Sequence, residues 1–405
     1  MRLSSGFSGA GNRIPLYSRG FETRIIEKNR LPYRINPLFA DKNVLHEAKI
    51  FENRTRTDRW AAIYELFEKI KIGGTHGITY DLTSERPDGC LNATEIFRMK
   101  RGCCLEQTFL FLSIATNGGF NQKETDVIGF LIYSLQDGAY DLHACPGLLL
   151  KTTLRGDYAR LNHHKFLNNT AFRKEILEVA NARESENYSL ILLDLTYPEI
   201  GAQHKHIVPM SDAGIVAAYL TNSGENFHRR GSMKEAVARW SFALQIEEKE
   251  VLALSNLIAE EYDANNWTRV VSLTEDIGKI VNPIDLLRRS EASRNIGEWS
   301  VAEPYRALGE DPKCVDAYLY LARIYIENGD RFGALSVLSG LRRQLKSTIN
   351  EGYRNALIPA KKDEKASDQL LLSQKISLKK IEGWRVECEE LIKMNIAQSL
   401  TDTVK

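Results

Sequence analysis

The stretch of sequence that decides the N-terminal fold reads Arg101-Gly102-Cys103-Cys104-Leu105-Glu106. An almost wholly apolar run follows it to Ala115 and ends shortly before Asn117-Gly118-Gly119, a typical stop signal for a helix. This pattern predicts a buried helix over 106–115 with a thiol at its start. A helix N-terminus carries unpaired N–H groups and a partial positive charge, so it favours a thiolate and can hold an oxyanion.

Two β-rich runs follow the predicted helix. They cover 126–135 and 139–150, and the Asp-Gly pair between them is typical of a hairpin turn. A third strand is predicted over 188–196. The polar segment 151–187 is interpreted as an insertion that contains one helix over 170–182. The sequence therefore predicts an α+β domain in which a helix packs on an antiparallel sheet.

An imidazole and a carboxylate follow the thiol in this predicted domain. His143 lies on the second strand of the hairpin, and Asp194 lies at the end of the next strand. A cysteine nucleophile needs a base, and the base needs a partner that orients its ring. The chain order of cysteine, histidine and aspartate suits that chemistry. Each residue also has an ordinary structural explanation: a small buried thiol, a core histidine and a turn-forming aspartate.

These motifs resemble the transglutaminase-like superfamily, a group of papain-like cysteine hydrolases. That family has Gly-x-Cys-x-(Asp/Glu) at a helix start, then His-Ala-Trp on a strand, then Asp-Pro-Thr. Here the corresponding segments are Gly102-Cys103-Cys104-Leu105-Glu106, His143-Ala144-Cys145 and Asp194-Leu195-Thr196. The resemblance covers roughly residues 50 to 210.

The resemblance implies a role for each residue of a triad. Cys104 would be the nucleophile, His143 the general base and then the acid, and Asp194 the group that orients the imidazole. Cys103 would point away from the cleft. Two positions depart from the family pattern, because Cys145 replaces tryptophan and Leu195 replaces proline.

The sequence becomes self-similar after about Asp212. Turn residues recur every 32 to 34 positions, at Gly231, Asn265, Gly297 and Gly329. The first unit resembles a tetratricopeptide repeat, in which Gly224 lets two helices approach and Trp240 packs the second helix back. About four such units are predicted. A solenoid needs its last apolar face covered, so the helical spacing near the C-terminus is interpreted as a cap.

The sequence thus predicts four consecutive parts. They are a basic flexible arm (1–40), a transglutaminase-like domain whose first element starts near position 42 (41–211), a tetratricopeptide-repeat solenoid (212–345) and C-terminal capping helices (346–405). The arginines of the arm also permit interpretation as a transit peptide, but no amphipathic helical pattern supports it, and the basic arm is preferred.

Composition excludes several classes of function. The chain has 54 Lys and Arg against 53 Asp and Glu, a net charge of +1, so it offers no field for nucleic acid or anionic membrane. No apolar run approaches the roughly 20 residues that span a bilayer. Six scattered cysteines do not form a disulfide scaffold and fit a reducing compartment, so the cytoplasm is the expected location.

The resemblance implies a thiol-dependent hydrolase or acyl-transferase, with no cofactor, acting on an amide, isopeptide or peptide bond. The repeats would recruit a protein or peptide. Hydrolysis is preferred over cross-linking because no feature visibly excludes water. The alternative is an inactive scaffold that binds proteins. Cys103, Cys104, His143 and Cys145 also permit interpretation as a zinc site, but adjacent cysteines chelate poorly and no metal is expected.

Overall fold

The computed structural model of the 405-residue chain describes most of the two central predicted parts, 41–211 and 212–345. The described residues are 30, 35–56, 58–81, 89–119, 125–136, 139–151, 166–167, 188–193, 195, 206–275, 282–298, 300–356, 383 and 386–394. Within them, helices predominate and are accompanied by a five-stranded and a two-stranded sheet. The class is therefore α+β in the coarse sense.

The described residues form two compact units. The first takes in those up to Ser134 and those of Asp141–Leu257, and the second takes in those of Leu135–Tyr140 and those from Ile258 onward. The sequence-based boundary at residue 211 falls inside the first unit. The first unit therefore holds both the predicted thiol site and the first predicted helical repeat.

Four helices open the first unit, and short polar residues cap the first and the third. Asp41 caps the first by accepting the N–H groups of Asn43 and Val44, and Asn92 caps the third by accepting the N–H of Glu95. Such caps satisfy N–H groups that have no partner within the helix. The helices are α1 (Lys42–Thr55), α2 (Arg59–Ile70), α3 (Ala93–Met99) and α4 (Cys104–Asn117).

The larger sheet contains the three predicted strands, the third of which ends at Leu192 instead of residue 196, together with two strands that the sequence did not predict. Its strands are β3 (Thr125–Gln136), β4 (Ala139–Lys151), β5 (Phe166–Leu167), β6 (Tyr188–Leu192) and β7 (His206–Met210), and β1 (Thr79–Tyr80) and β2 (Arg101–Gly102) form a separate parallel pair. The larger sheet has the order β5-β6-β4-β3-β7, so the two strands of the predicted hairpin are neighbours. The hairpin turn and the helix predicted over 170–182 lie outside the described residues.

Helix α4 is the buried helix that the sequence predicted, and it begins two residues earlier, at Cys104. Every residue from Cys104 to Ala115 is buried. The helix approaches β3 at Gly129, where an added Cβ would lie 3.0 Å from Leu112 Cδ1 and 2.5 Å from Met210 Cε. Close packing of this kind fixes where the helix starts relative to the sheet.

Two long helices, α5 (Asp212–Arg229) and α6 (Met233–Ile246), complete the first unit together with the start of α7 (Val251–Asp263). They cross closely at Gly224, where a Cβ would lie 2.4 Å from Trp240 Nε1. The same indole N–H donates to the Thr221 carbonyl at 3.3 Å. The predicted role of Gly224 as a point of close helix approach is confirmed.

Replacing Gly224 by alanine is expected to destabilise the first unit by about 1 to 3 kcal/mol, because the new methyl group overlaps the Trp240 ring. Urea unfolding followed by circular dichroism measures this loss. Gly309→Ala is the matched control, since a Cβ there meets nothing within 4 Å. That change lies in a helix and should leave stability equal or slightly higher. Equal midpoints for Gly224→Ala and the unchanged protein would contradict the packing argument.

Besides most of α7, the second unit contains five further helices among its described residues: α8 (Trp267–Glu275), α9 (Pro283–Asn295), α10 (Ala302–Glu310), α11 (Val315–Glu327) and α12 (Arg331–Ala356). All four predicted turn residues have left-handed backbones: φ is +77° at Gly231, +59° at Asn265, +88° at Gly297 and +73° at Gly329. Glycine and asparagine tolerate this region best, which explains their recurrence. The predicted helix turns are thus confirmed.

The described residues of the predicted C-terminal part (346–405) include the end of α12, which crosses the predicted boundary, and a further helical segment. The helical residues 386–394 contribute Cys388 and Leu391 to a core shared with α11 and α12. They cover an apolar face that those two helices would otherwise expose. Among the described residues, no helix is both long enough and apolar enough to cross a bilayer.

Candidate functional site

The N-terminus of α4 carries the candidate nucleophile. Cys104 is the first residue of the helix and is 9% exposed, while Cys103 before it has an extended backbone with φ −79°. The helix starts here because Glu106 folds back and accepts the Cys103 N–H at 2.8 Å. This is the reciprocal arm of a capping box, and it fixes the backbone that presents both thiols.

Glu106 is fully buried and holds two backbone segments together. One carboxylate oxygen accepts the Cys103 N–H, and the other accepts the Leu91 N–H at 2.9 Å. Gly102 leaves room for this side chain, because a Cβ there would lie 3.3 Å from Glu106 Oε2. The glycine and the acidic residue of the sequence motif therefore serve one purpose, which is to position the start of α4.

Strand β4 brings His143 to the thiol of Cys104. Hydrogen bonds from the Cys103 thiol and from His143 hold the pKa of Cys104 well below its usual range, against burial, which raises it. The charge of His143 and the backbone N–H of Ala144 act in the same direction. The sulfur thus receives donors from both α4 and β4, an arrangement that stabilises a thiolate.

The neighbouring thiol behaves in the opposite way. Its hydrogen bond to Cys104, then its burial, then the negative charge of Glu106 raise the pKa of Cys103 well above its usual range. Cys104 is therefore the thiol of the pair that ionises at the lower pH. The expectation that Cys103 points away from the cleft stays a prediction.

The other residues singled out in the sequence have varied positions. Asp194 lies outside the described residues, so its predicted contact with His143 stays a prediction. Cys145 is fully buried on β4. Arg101 pairs with Asp81, at 3.8 Å. Among the described residues, no group of three or more Cys, His, Asp or Glu side chains is arranged to hold a metal ion.

The sequence did not indicate that side chains of α5 contact the residues beside Cys104. Asn222 Nδ2 lies 3.3 Å from Cys90 Sγ and 3.8 Å from Cys103 Sγ, and the Tyr219 hydroxyl donates to the Cys90 carbonyl at 3.0 Å. The available signal was a set of polar side chains on a face of α5 that is otherwise apolar and buried. Buried polar groups on such a face require partners, which should direct attention to them.

A buried thiolate beside an imidazole can attack an electrophilic carbonyl and form a covalent intermediate. The N–H groups in the first turn of α4 can stabilise the oxyanion that forms, except that of Cys103, which bonds to Glu106. No protein-family model matches the chain, and no curated protein matches it.

Proposed function

We propose that this protein is a thiol-dependent hydrolase or acyl-transferase whose N-terminal domain is of the transglutaminase-like type. One observation carries the proposal: the Cys104 sulfur lies at a helix N-terminus, is hydrogen-bonded to His143, and has a lowered pKa. Perturbed ionisation with a defined partner is typical of functional cysteines. The proposed substrate is an amide, isopeptide or peptide bond of a protein or peptide.

The proposed reaction proceeds in two half-reactions. The Cys104 thiolate attacks the carbonyl carbon, and the tetrahedral intermediate collapses as the His143 imidazolium gives its proton to the leaving amine. A thioester remains. Neutral His143 then takes a proton from water, the resulting hydroxide attacks the thioester, and Cys104 leaves as a thiolate while the acid product is released. Asp194 is proposed to orient the imidazole.

The helices from α5 onward are proposed to be tetratricopeptide repeats that recruit the substrate or a partner. Support comes from paired helices whose left-handed turn residues recur at the spacing of such repeats, and from the close crossing at Gly224. Water is the preferred acceptor for the acyl group. The cytoplasm is the proposed location, because all six cysteines are free thiols.

Acylation of Cys104 tests the proposal directly. Incubation with activated acyl esters should add one acyl group per chain, visible by intact mass and removed by hydroxylamine, and Cys104→Ser should abolish it. Alkylation by iodoacetamide at about pH 6 should also modify Cys104 roughly a hundredfold faster than an ordinary thiol, which is almost wholly protonated there. Cys314→Ser is the control, because burial raises the pKa of that thiol to about 11. This variant should show the same acyl adduct and the same alkylation rate as the unchanged protein.

The second candidate function is a scaffold that keeps this fold without turnover and binds proteins through its helical repeats. The small exposure of Cys104, and Cys145 at the position of the family tryptophan, favour it. Slow alkylation of Cys104 at about pH 6, together with no acyl adduct, would support the scaffold and overturn the enzyme.

A further inference from the structure

Backbone hydrogen bonds connect the strand of His143 to chain segments that lie far from it in sequence. Strand β6 pairs with β4, and the pairing continues past the end of β6, because the Leu193 N–H donates to the Pro146 carbonyl at 2.8 Å. Pro146 follows His143 by three residues on β4. The chain after β6 is therefore attached to the same strand that carries the imidazole.

The turn after α2 holds this chain from its other side. The N–H of Ile72 donates to the Leu195 carbonyl at 3.0 Å, and Leu195 is fully buried. Ile72 begins a stretch of ten residues, 72–81, which we call the linking segment. It leaves the turn, passes through the fully buried Ile78 and ends just after β1. One end of the linking segment is thus fixed to the region of the larger sheet.

The other end of the linking segment is fixed to the start of α4. Strand β1 pairs in parallel with β2, with the Thr79 N–H donating to the Lys100 carbonyl at 3.0 Å and the Asp81 N–H to the Gly102 carbonyl at 3.3 Å. Gly102 precedes Cys104 by two residues. An unbroken path of backbone hydrogen bonds therefore runs from β4 through the linking segment to the helix of the nucleophile.

The turn at the beginning of the linking segment fits tightly against the end of α2. The Gly74 N–H donates to the Lys71 carbonyl at 2.8 Å. A Cβ at Gly74 would lie 2.3 Å from the Glu68 carbonyl oxygen and 2.7 Å from that of Lys69. These are backbone atoms, so any side chain at this position must push the turn away from α2. Ile72 lies two residues earlier in the same turn, and its hydrogen bond weakens as the turn shifts.

We propose that the linking segment is a positioning element for the nucleophile: its backbone hydrogen bonds to Leu195 and Gly102 fix the start of α4 relative to β4, and so hold Cys104 within reach of His143. A nucleophile and its base act together only at a defined separation, and small displacements are costly. The proposal rests on the proposed function, because it takes these two residues as the reacting pair.

The test is the pH dependence of Cys104 alkylation by iodoacetamide, with the modified residue identified by tandem mass spectrometry. The titratable groups that act on this thiol are Cys103 beside it and His143 from β4, and the substitutions in the turn leave both in place. Gly74→Ala displaces the turn, so His143 supports the thiolate less. The midpoint should rise by about half a pH unit, and the rate at about pH 6 should fall about threefold.

Gly77→Ala is the matched control in the same turn. Its left-handed backbone, with φ +65°, makes alanine costly for stability, but a Cβ there meets nothing within 4 Å. The midpoint of this variant should be unchanged. A merely structural role for the turn would give the two alanine variants the same pH profile. Thr79→Pro acts at the other end of the linking segment, where it removes the N–H that bonds to Lys100, and should raise the midpoint like Gly74→Ala.

Combination with His143→Ala decides whether the linking segment acts through the imidazole. In the His143→Ala background Gly74→Ala should shift the midpoint no further, because residues that act as one unit are not additive. A further shift of the same size, or a midpoint unchanged by Gly74→Ala, would overturn the proposal. Should Gly74→Ala fail to fold by circular dichroism, Thr79→Pro decides by the same two criteria. Loss of acylation by activated esters with these shifts intact would instead overturn the proposed enzyme and leave the positioning role standing.

Discussion

Replacing His143 by alanine is expected to slow the alkylation of Cys104 at about pH 6 by about a hundredfold. The ring supplies both a hydrogen bond and a positive charge that lower the pKa of Cys104. Without it, burial acts against the thiolate and the sulfur returns toward its usual ionisation. Because the pKa of Cys104 is higher in the variant, its thiolate becomes protonated at a higher pH than in the unchanged protein. The variant therefore has little thiolate left at about pH 6.

The difference should shrink as pH increases. At about pH 9 and above an ordinary thiol is largely ionised, so the alkylation rates of the two proteins should converge. His46→Ala is the matched control, because His46 lies on the exposed side of α1. In this variant Cys104 should be alkylated at the unchanged rate. A constant ratio across the pH range would show that His143 acts through access or packing, and would contradict the thiolate–imidazole pair.

Replacing Glu106 by leucine is expected to cost about 2 to 6 kcal/mol of folding stability. The change removes the acceptor of two buried N–H groups, those of Cys103 and Leu91. Each buried donor left without a partner costs about 1 to 3 kcal/mol. Glu106→Gln keeps one acceptor oxygen but turns an NH₂ group toward the second donor, so its cost should be intermediate. Urea unfolding by circular dichroism gives both values.

Glu95 provides a matched control for this experiment. It also accepts a backbone N–H through its carboxylate, from Asn92 at 2.8 Å, but at a partly exposed helix start. Water can replace the lost partner there, so Glu95→Leu should cost only about 1 kcal/mol. A similar loss in the free energy of unfolding for Glu106→Leu and Glu95→Leu would contradict this argument, because it would show that the burial of Glu106 adds nothing to stability.

The local elements of the fold could be predicted because their signals lie within short stretches. The apolar run after Cys104, the alternating runs on both sides of the Asp-Gly turn, and the turn residues at repeat spacing each specify one element. The start of α4 was placed two residues late. The sequence motif gives no direct sign that Glu106 folds back onto Cys103 and so makes Cys104 helical.

The candidate site could be predicted only in its local components. Motifs alone point to Cys104 and His143, and His143 is among the causes that lower the pKa of Cys104. The family pattern describes one cysteine and gives no partner for the other, so the direction of Cys103 stays a prediction. Asn222 could not be found, because it reaches Cys90 by a contact across more than a hundred residues that depends on the missing side chain of Gly89.

The close fit of Gly89 on Ser223 limits how a chain of this kind can be rearranged in evolution. Helix α5 would be counted as the first helix of a repeat array, and repeats are commonly gained, lost or exchanged as whole units. Here that helix also forms the wall behind the thiols, so its exchange would change the chemistry as well as the binding surface. If the helices form the proposed repeat array, a change in repeat number beyond the first helix pair leaves the thiols untouched, whereas exchange of α5 removes Asn222 from Cys90 and Cys103.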